Sequence, residues 1–244
     1  MPKSNGWIND IHNSYKEIED NCGTYDNEEW INKQKHRVKN FKKEKKVSIA
    51  RNALLINFVN SLEKDCIQII DYGGGFGLSY LPLVASTNKK IKYHIVEVPG
   101  VSIAAASLYS DNKNISFYSS FEDLKNLDFD IGYIRTSLQY AKDWEVVLES
   151  MTNLSPKNII LSDASIGKIK TFLTFQSWGS EKIPYWFINE NELIEKVTSK
   201  NYRVLIKEVS KNISEENSWK TQRNYPSKYR IDCLVDLIFS RGLQ

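Results

Sequence analysis

Apolar and polar positions follow two rhythms along this chain. Up to about residue 62 the spacing is helical. The segment is polar at first and then amphipathic, with Trp30, Ile31, Val38 and Phe41 on one stripe. Ile49, Ala53, Leu54, Ile56, Phe58 and Val59 continue that stripe. Beyond it, short apolar runs of strand length alternate with helical segments. Strands are predicted at 66–71, 91–98, 115–119, 129–135, 158–163, 202–209 and 231–240. Helices are predicted at 78–86, 99–109, 143–151 and 189–199. Pro99 suits a first helical turn, and Asp143 and Asn189 suit N-caps. Strands alternating with helices predict a mainly parallel sheet covered on both faces. No helix-length periodic segment separates the last two strands, which therefore read as an antiparallel edge pair.

The first strand ends in Asp71-Tyr72-Gly73-Gly74-Gly75-Phe76-Gly77. Strand, glycine-rich turn and helix form a ligand site at the carboxyl edge of an α/β sheet. The spacing is D-x-G-x-G-x-G. A dinucleotide fingerprint reads G-x-G-x-x-G, and Leu78 stands where its third glycine is needed. An acid leading the turn is unfavourable beside a pyrophosphate and favourable beside an ammonium and a sulfonium. Asp71, Gly73, Gly75 and Gly77 thus point to S-adenosylmethionine and away from an NAD-dependent oxidoreductase. Glu97 ends the second strand, where an acid can accept both hydroxyls of a ribose. Ser120 and Phe121 follow the third strand, where an adenine edge and face would lie. Ser137, Gln139 and Tyr140 end the fourth, a polar mouth suited to the methionine part of the cofactor or to the acceptor.

These segments, with Val96-Glu97-Val98-Pro99, Ser137–Tyr140 and Tyr185-Trp186-Phe187, resemble class I S-adenosylmethionine-dependent methyltransferases. More narrowly, they resemble a methyltransferase family of bacterial surface-polysaccharide gene clusters. The resemblance covers about residues 20 to 240. It implies a Rossmann-like, seven-stranded, mainly parallel α/β sheet with an antiparallel C-terminal hairpin. It also implies S-adenosyl-L-methionine as cofactor. One departure is Ser120, which stands where the class commonly carries an acid at the adenine edge. The expected organisation is an N-terminal helical extension, 1–62, and a methyltransferase domain, 63–244. An aromatic acceptor-side insertion is expected at about 164–188.

Methyl transfer needs an in-line nucleophile, a dry pocket and, for a hydroxyl acceptor, a destination for the proton. Asp163 ends the fifth strand and is the candidate base, with a cap for the following segment as its structural reading. Tyr140 is a candidate acceptor-orienting hydroxyl. His94 lies within a strand and reads as a strand-face residue. His12 and His36 lack a positioning context. Phe172, Phe175, Trp178, Tyr185, Trp186 and Phe187, broken by Gly179 and Pro184, read as the wall of an acceptor pocket, with Tyr185 and Trp186 as substrate contacts. A second small core or a subunit contact is the structural reading, and an oligomer stays open.

Composition narrows this picture in a few places. A net charge of +3 gives no global reason for a nucleic-acid partner. Lys33, Lys35, Arg37, Lys39, Lys42, Lys43, Lys45 and Lys46 form a basic run. It reads first as the solvated face of a helix, and otherwise as a surface drawing in an anionic acceptor or a membrane. Cys22, Cys66 and Cys233 form no metal or redox motif, and histidine is scarce, so no metal is expected. The first fifteen residues lack an apolar signal core, and no apolar run is long enough to span a membrane. A cytoplasmic enzyme that O-methylates a small or carbohydrate-type acceptor is the reading these features favour. The alternative is a non-catalytic module that binds the cofactor or serves assembly.

Overall fold

The computed structural model describes residues 7–18, 23, 25–44, 49–178, 181–210 and 225–242. Cys22, Lys45, Lys46 and Gly179 lie outside them, as do the side chains of Lys42, Lys43 and Trp178. The strands are β1 (Trp7–His12), β2 (Cys66–Tyr72), β3 (Lys90–Val96), β4 (Ile115–Tyr118), β5 (Ile131–Arg135), β6 (Asn158–Ala164), β7 (Ile166–Gly167), β8 (Phe172–Trp178), β9 (Glu181–Asn189), β10 (Tyr202–Val209) and β11 (Val235–Arg241). The helices are α1 (Glu28–Glu44), α2 (Ala53–Ser61), α3 (Tyr80–Ala85), α4 (Pro99–Ala106), α5 (Trp144–Asn153) and α6 (Glu190–Thr198).

A seven-stranded, mostly parallel sheet has the order β10-β11-β6-β5-β2-β3-β4. Its last hairpin is antiparallel, with Tyr202 opposite Arg241 and Val209 opposite Val235. The chain divides into two compact units. One comprises Tyr25–Arg135 and Asn153–Ile160, and the other Met1–Thr24, Thr136–Thr152 and Leu161–Gln244. They are called here the turn unit and the hairpin unit.

In the turn unit, β2 pairs in parallel with β3 and β5, and β3 with β4. β2 is flanked by strands and packed on both faces, which suits its run of β-branched isoleucines. Ile67, Ile69 and Ile70 are fully buried. Asp130, just before β5, ties the lower end of this sheet. Its carboxylate accepts from the backbone N–H of Gln68 at 2.9 Å and from the ammonium groups of Lys64 at 2.7 Å and Lys157 at 3.0 Å. Burial raises its pKa, but these three donors outweigh burial and hold the acid below the usual carboxylate range. On α1, Gln34 and Val38 are buried while Lys33, Arg37 and Lys39 are exposed, so the described basic residues lie mainly on the outer face.

In the hairpin unit, a second sheet has the order β1-β8-β9-β7. Two expectations change here. The helical reading of the N-terminal segment fails at Trp7–His12, which forms a strand antiparallel to β8. The partner of β1 is more than 150 residues away, so no local periodicity could report it. Ile11 instead packs on a cluster of Ile169, Phe172, Tyr185, Phe187, Tyr225 and Ile231. The turn-rich aromatic segment is likewise a regular hairpin, with Phe172 opposite Phe187 and Trp178 opposite Glu181. Pro184 is tolerated because β7 pairs only with the Ile188–Asn189 end of β9, leaving Pro184 beside a single neighbouring strand. Both predicted caps form. Asp143 accepts from the N–H groups of Glu145 and Val146 at 3.0 and 3.1 Å, and Asn189 from those of Asn191 and Glu192 at 2.9 and 3.1 Å.

Candidate functional site

The turn unit carries the glycine turn at the carboxyl end of β2. Gly73, Gly75 and Gly77 have φ of +68°, +56° and +72°, a left-handed path that side chains disfavour. The N–H of Gly73 donates to the carbonyl of Val96 at 2.9 Å, which fastens the turn to the end of β3. Gly74 is glycine for another reason. A Cβ there would lie 2.3 Å from Oδ2 of Asp71. A Cβ on Gly75 would meet nothing within 4 Å, so that side of the turn is open to a ligand.

Glu97 is brought to this turn. Its Oε1 accepts from the N–H of Gly75 at 2.9 Å and its Oε2 from the N–H of Val98 at 3.0 Å. A carboxylate offers about four acceptor positions, so room remains for a diol. Burial pushes the Glu97 acid up, the two N–H groups oppose this, and the charge of Asp26 adds to it. Asp71 is 1% exposed and takes a hydrogen bond from the hydroxyl of Tyr93 at 2.7 Å. Burial raises this acid to about 8, with the Glu97 charge adding and the Tyr93 hydroxyl and Arg135 charge opposing. Phe121 is half-buried and lies parallel to Tyr72, centroids 5.7 Å apart. One face of Phe121 is thus taken by a neighbouring ring. The hydroxyl of Ser120 accepts from the N–H of Glu122 at 3.1 Å and keeps its own proton to donate. His94 is a strand-face residue that packs edge-on against Phe129, centroids 5.5 Å apart. Burial, with the charge of Lys92, lowers its affinity for a proton.

The hairpin unit holds the other expected residues. Ser137 precedes the single turn Leu138–Tyr140, and Gln139 is buried in it. The Tyr140 hydroxyl donates to Oε1 of Gln176 at 2.7 Å, and its ring meets that of Tyr185 edge-on at 4.9 Å. Tyr185 and Ser165 share a hydrogen bond through their hydroxyls, and the Trp186 indole N–H donates to the carbonyl of Ala141 at 3.0 Å. Tyr185 and Trp186 are only 5% and 7% exposed. The aromatic segment is thus a packed second core whose polar tips already have partners.

Asp163 is held by a different set of contacts. It is buried at φ +56°, a strained value for a residue with a side chain. Its N–H donates to Oδ1 of Asp236 at 2.7 Å, as does the hydroxyl of Ser162 at 3.0 Å, and its own Oδ1 accepts from the hydroxyl of Ser210. Burial, with the charge of Asp163 adding, raises the Asp236 acid. Thr136, at the end of β5, is also left-handed at φ +51° and bonds through its N–H to the carbonyl of Ser162 at 3.1 Å.

Tyr93, Arg135 and Asp236 escaped the sequence reading. All three sit on strands, where an isolated polar residue looks like one more alternating position. Only the register, which sets Tyr93 against Ile69 and Asp71 against Tyr133, exposes the first two. Among the described residues, no group of three or more His, Cys, Asp or Glu side chains could hold a metal ion. No described helix is long and apolar enough to cross a membrane. A shallow cavity of about 600 Å³ in the hairpin unit, lined by Gly167, Lys168, Lys170, Asn189, Glu190 and Lys228 among others, contains none of the expected site residues.

No protein-family model matches the sequence, and no curated protein does. Solved structures do. The 1,6-didemethyltoxoflavin-N1-methyltransferase of Burkholderia thailandensis, solved with 1,6-didemethyltoxoflavin and S-adenosylhomocysteine bound, matches with a TM-score of 0.54 at 11% identity. The match covers 97% of this chain and 94% of that one. An S-adenosylmethionine-dependent methyltransferase of Clostridium acetobutylicum matches with a TM-score of 0.52 at 12% identity, over 87% of this chain and 99% of that one. The [4+2]-cyclase SpnF matches with a TM-score of 0.50 at 12% identity, over 78% of this chain and 81% of that one. At such identities the likeness establishes the fold, and the cyclase shows that this fold alone does not dictate a reaction. The chain has the class I fold of S-adenosylmethionine-dependent methyltransferases.

Proposed function

We propose that this protein is an S-adenosylmethionine-dependent methyltransferase that methylates oxygen on a small or carbohydrate-type acceptor. One observation carries the reading: a glycine turn with three left-handed glycines, led by Asp71 and bonded through Gly75 to Glu97. The residues fit the cofactor. Gly75 has open space before it, and Glu97 keeps acceptor positions for a ribose diol. When bound, the cofactor supplies an activated methyl group on a sulfonium. Asp71 and the turn favour its cationic amino-acid end, Ser120 and Phe121 meet the adenine, and Ser137 and Gln139 the methionine part. Asp163 receives the proton of the acceptor hydroxyl, and Tyr140 orients that hydroxyl. Tyr185 and Trp186 serve the acceptor side from behind, since Tyr185 backs the ring of Tyr140 and Trp186 holds the carbonyl of Ala141.

The acceptor class rests on residue-level resemblance to the polysaccharide-cluster family, and the exposed basic side chains of α1 favour an anionic acceptor. The Burkholderia thailandensis neighbour, solved with a small heterocyclic molecule, supports a small acceptor. A cytoplasmic location accords with this role. A second reading, a non-catalytic cofactor-binding or assembly module, is favoured by the close packing of the aromatic segment. Calorimetric titration with S-adenosylhomocysteine and with NAD tests the cofactor: binding of NAD alone sinks the reading. Radiolabelled methyl transfer to a panel of nucleotide-linked sugars and other glycan precursors tests the activity. Cofactor binding with no transfer to any of them leaves the second reading in place.

A further inference from the structure

Four buried groups in the turn unit lie against the glycine turn and its support. Asp71 is beneath Gly74, where the missing Cβ leaves room for its carboxyl oxygen. The hydroxyl of Tyr93 grips that same oxygen at 2.7 Å. At the other end of the turn, the hydroxyl of Tyr109 donates to the carbonyl of Phe76 at 3.0 Å, and lies 3.3 Å from where a Cβ on Gly77 would stand. The ring of Tyr80 leans on both, at 5.5 Å from Tyr93 and 6.3 Å from Tyr109, and its hydroxyl is held by the Asn112 amide at 3.0 Å. Three tyrosines from three separate segments thus fix both ends of a turn whose glycines would otherwise leave it loose.

We propose that Tyr93 and Tyr109 are positioning residues for the glycine turn, and that cofactor binding at this turn releases a proton from Asp71. The inference rests on the cofactor reading given above. The charged and titratable groups facing Asp71 are Tyr93 and Glu97, on and just after β3, and Arg135 on β5. Burial outweighs Arg135 and Tyr93, so the unliganded acid keeps its proton at neutral pH. An arriving ammonium favours the carboxylate, and the proton leaves to solvent. Binding then tightens as pH rises, by up to about tenfold per unit below the pKa of the unliganded acid. The two tyrosines act differently. Tyr93 donates to the ionisable oxygen, so its loss disfavours the carboxylate and moves the pH profile upward. The Tyr109 hydroxyl donates to the backbone carbonyl of Phe76 and not to Asp71, so its loss weakens binding at every pH and leaves the profile in place.

The experiment is calorimetric titration of the full chain with S-adenosylhomocysteine between pH 6 and 8.5, in two buffers of different protonation enthalpy. The expected wild-type result is release of on the order of one proton per ligand at pH 7. Y93F should shift the affinity profile to higher pH, and Y109F should lower affinity without shifting it. Asp71→Asn should release no proton, and it carries the test if Y93F does not fold. Tight binding without proton release, or identical profiles for the wild type and Asp71→Asn, overturns this inference and leaves the cofactor reading intact. Absence of S-adenosylhomocysteine binding by the wild type overturns both.

Discussion

Asp71 and Asp163 each stand near the carboxyl end of a strand, and each is buried, yet the chain around them solves the same backbone problem in opposite ways. At the turn, left-handed φ falls on Gly73, Gly75 and Gly77, where it costs little. In the hairpin unit it falls on Thr136 and Asp163, which have side chains and must be held there. The holding groups are tertiary: the Asp236 carboxylate on the N–H of Asp163, the Ser210 hydroxyl on its side chain, and the Ser162 carbonyl on the N–H of Thr136. Glycine lets local sequence set a special conformation. A strained non-glycine residue needs a network from distant parts of the chain, and that need makes it a sharper probe of a site.

The comparison can be broken first at Gly74. Gly74→Ala drives a methyl group onto the buried Asp71 carboxyl and should destabilise by about 3 kcal/mol in urea unfolding. Little loss would mean that Asp71 can move and is not fixed beneath the turn. Asp236→Ala leaves the N–H of Asp163 and the hydroxyl of Ser162 without their acceptor, and should cost about 2–3 kcal/mol. Wild-type stability would show that Asp163 keeps its left-handed geometry unaided. Glu97→Ala removes the acceptor of the Gly75 N–H, and should weaken S-adenosylhomocysteine binding by roughly 1–3 kcal/mol. Unchanged affinity would remove Glu97 from the ribose site.

A pH series sharpens the contrast between acids. The Asp71 acid is raised to about 8 in the folded chain, against an ordinary value of 3.8. Its favourable contribution is therefore complete below the ordinary value and is lost as pH rises between the two. The slope is at most about 1.4 kcal/mol per pH unit. Asp71→Asn should flatten that fall, and an unchanged slope would show that another group causes it. Asp130 runs the other way, because its acid is lowered and its support fades as pH falls. The smallest effect is expected at Gly75, where an added methyl meets open space and only the left-handed φ is penalised. Gly75→Ala should cost about 1 kcal/mol in stability, and a loss as large as that of Gly74→Ala would mean the open side is closed.

Much of the architecture was legible because it is written in local periodicity. The isoleucines of β2, the caps Asp143 and Asn189, and the antiparallel last pair all depend on residues close in sequence or on the length of a connection. The glycine turn was legible for the same reason. Its meeting with Glu97 could be anticipated because consecutive parallel strands end at the same edge of the sheet. Trp7–His12 was not, since a polar segment becomes a strand only when β8 supplies the ladder. The aromatic segment showed its composition but not its packing. Aromatic rings and turn residues suit an open wall as well as a closed core, and the pairing of β8 with β9 closes it here.

The amino-acid sequence by itself determined the alternating α/β pattern, the path of the glycine turn and the acid at the end of β3. These follow from backbone sterics and burial over a few neighbouring residues. Only the tertiary structure decided that Tyr93 and Tyr109 lie under the turn, that Asp163 leans on Asp236, and that Tyr185 and Trp186 face inward. Those outcomes depend on which strands become neighbours and in what register. One residue of slip would turn strand side chains such as Tyr93, Tyr185 and Trp186 to the other face.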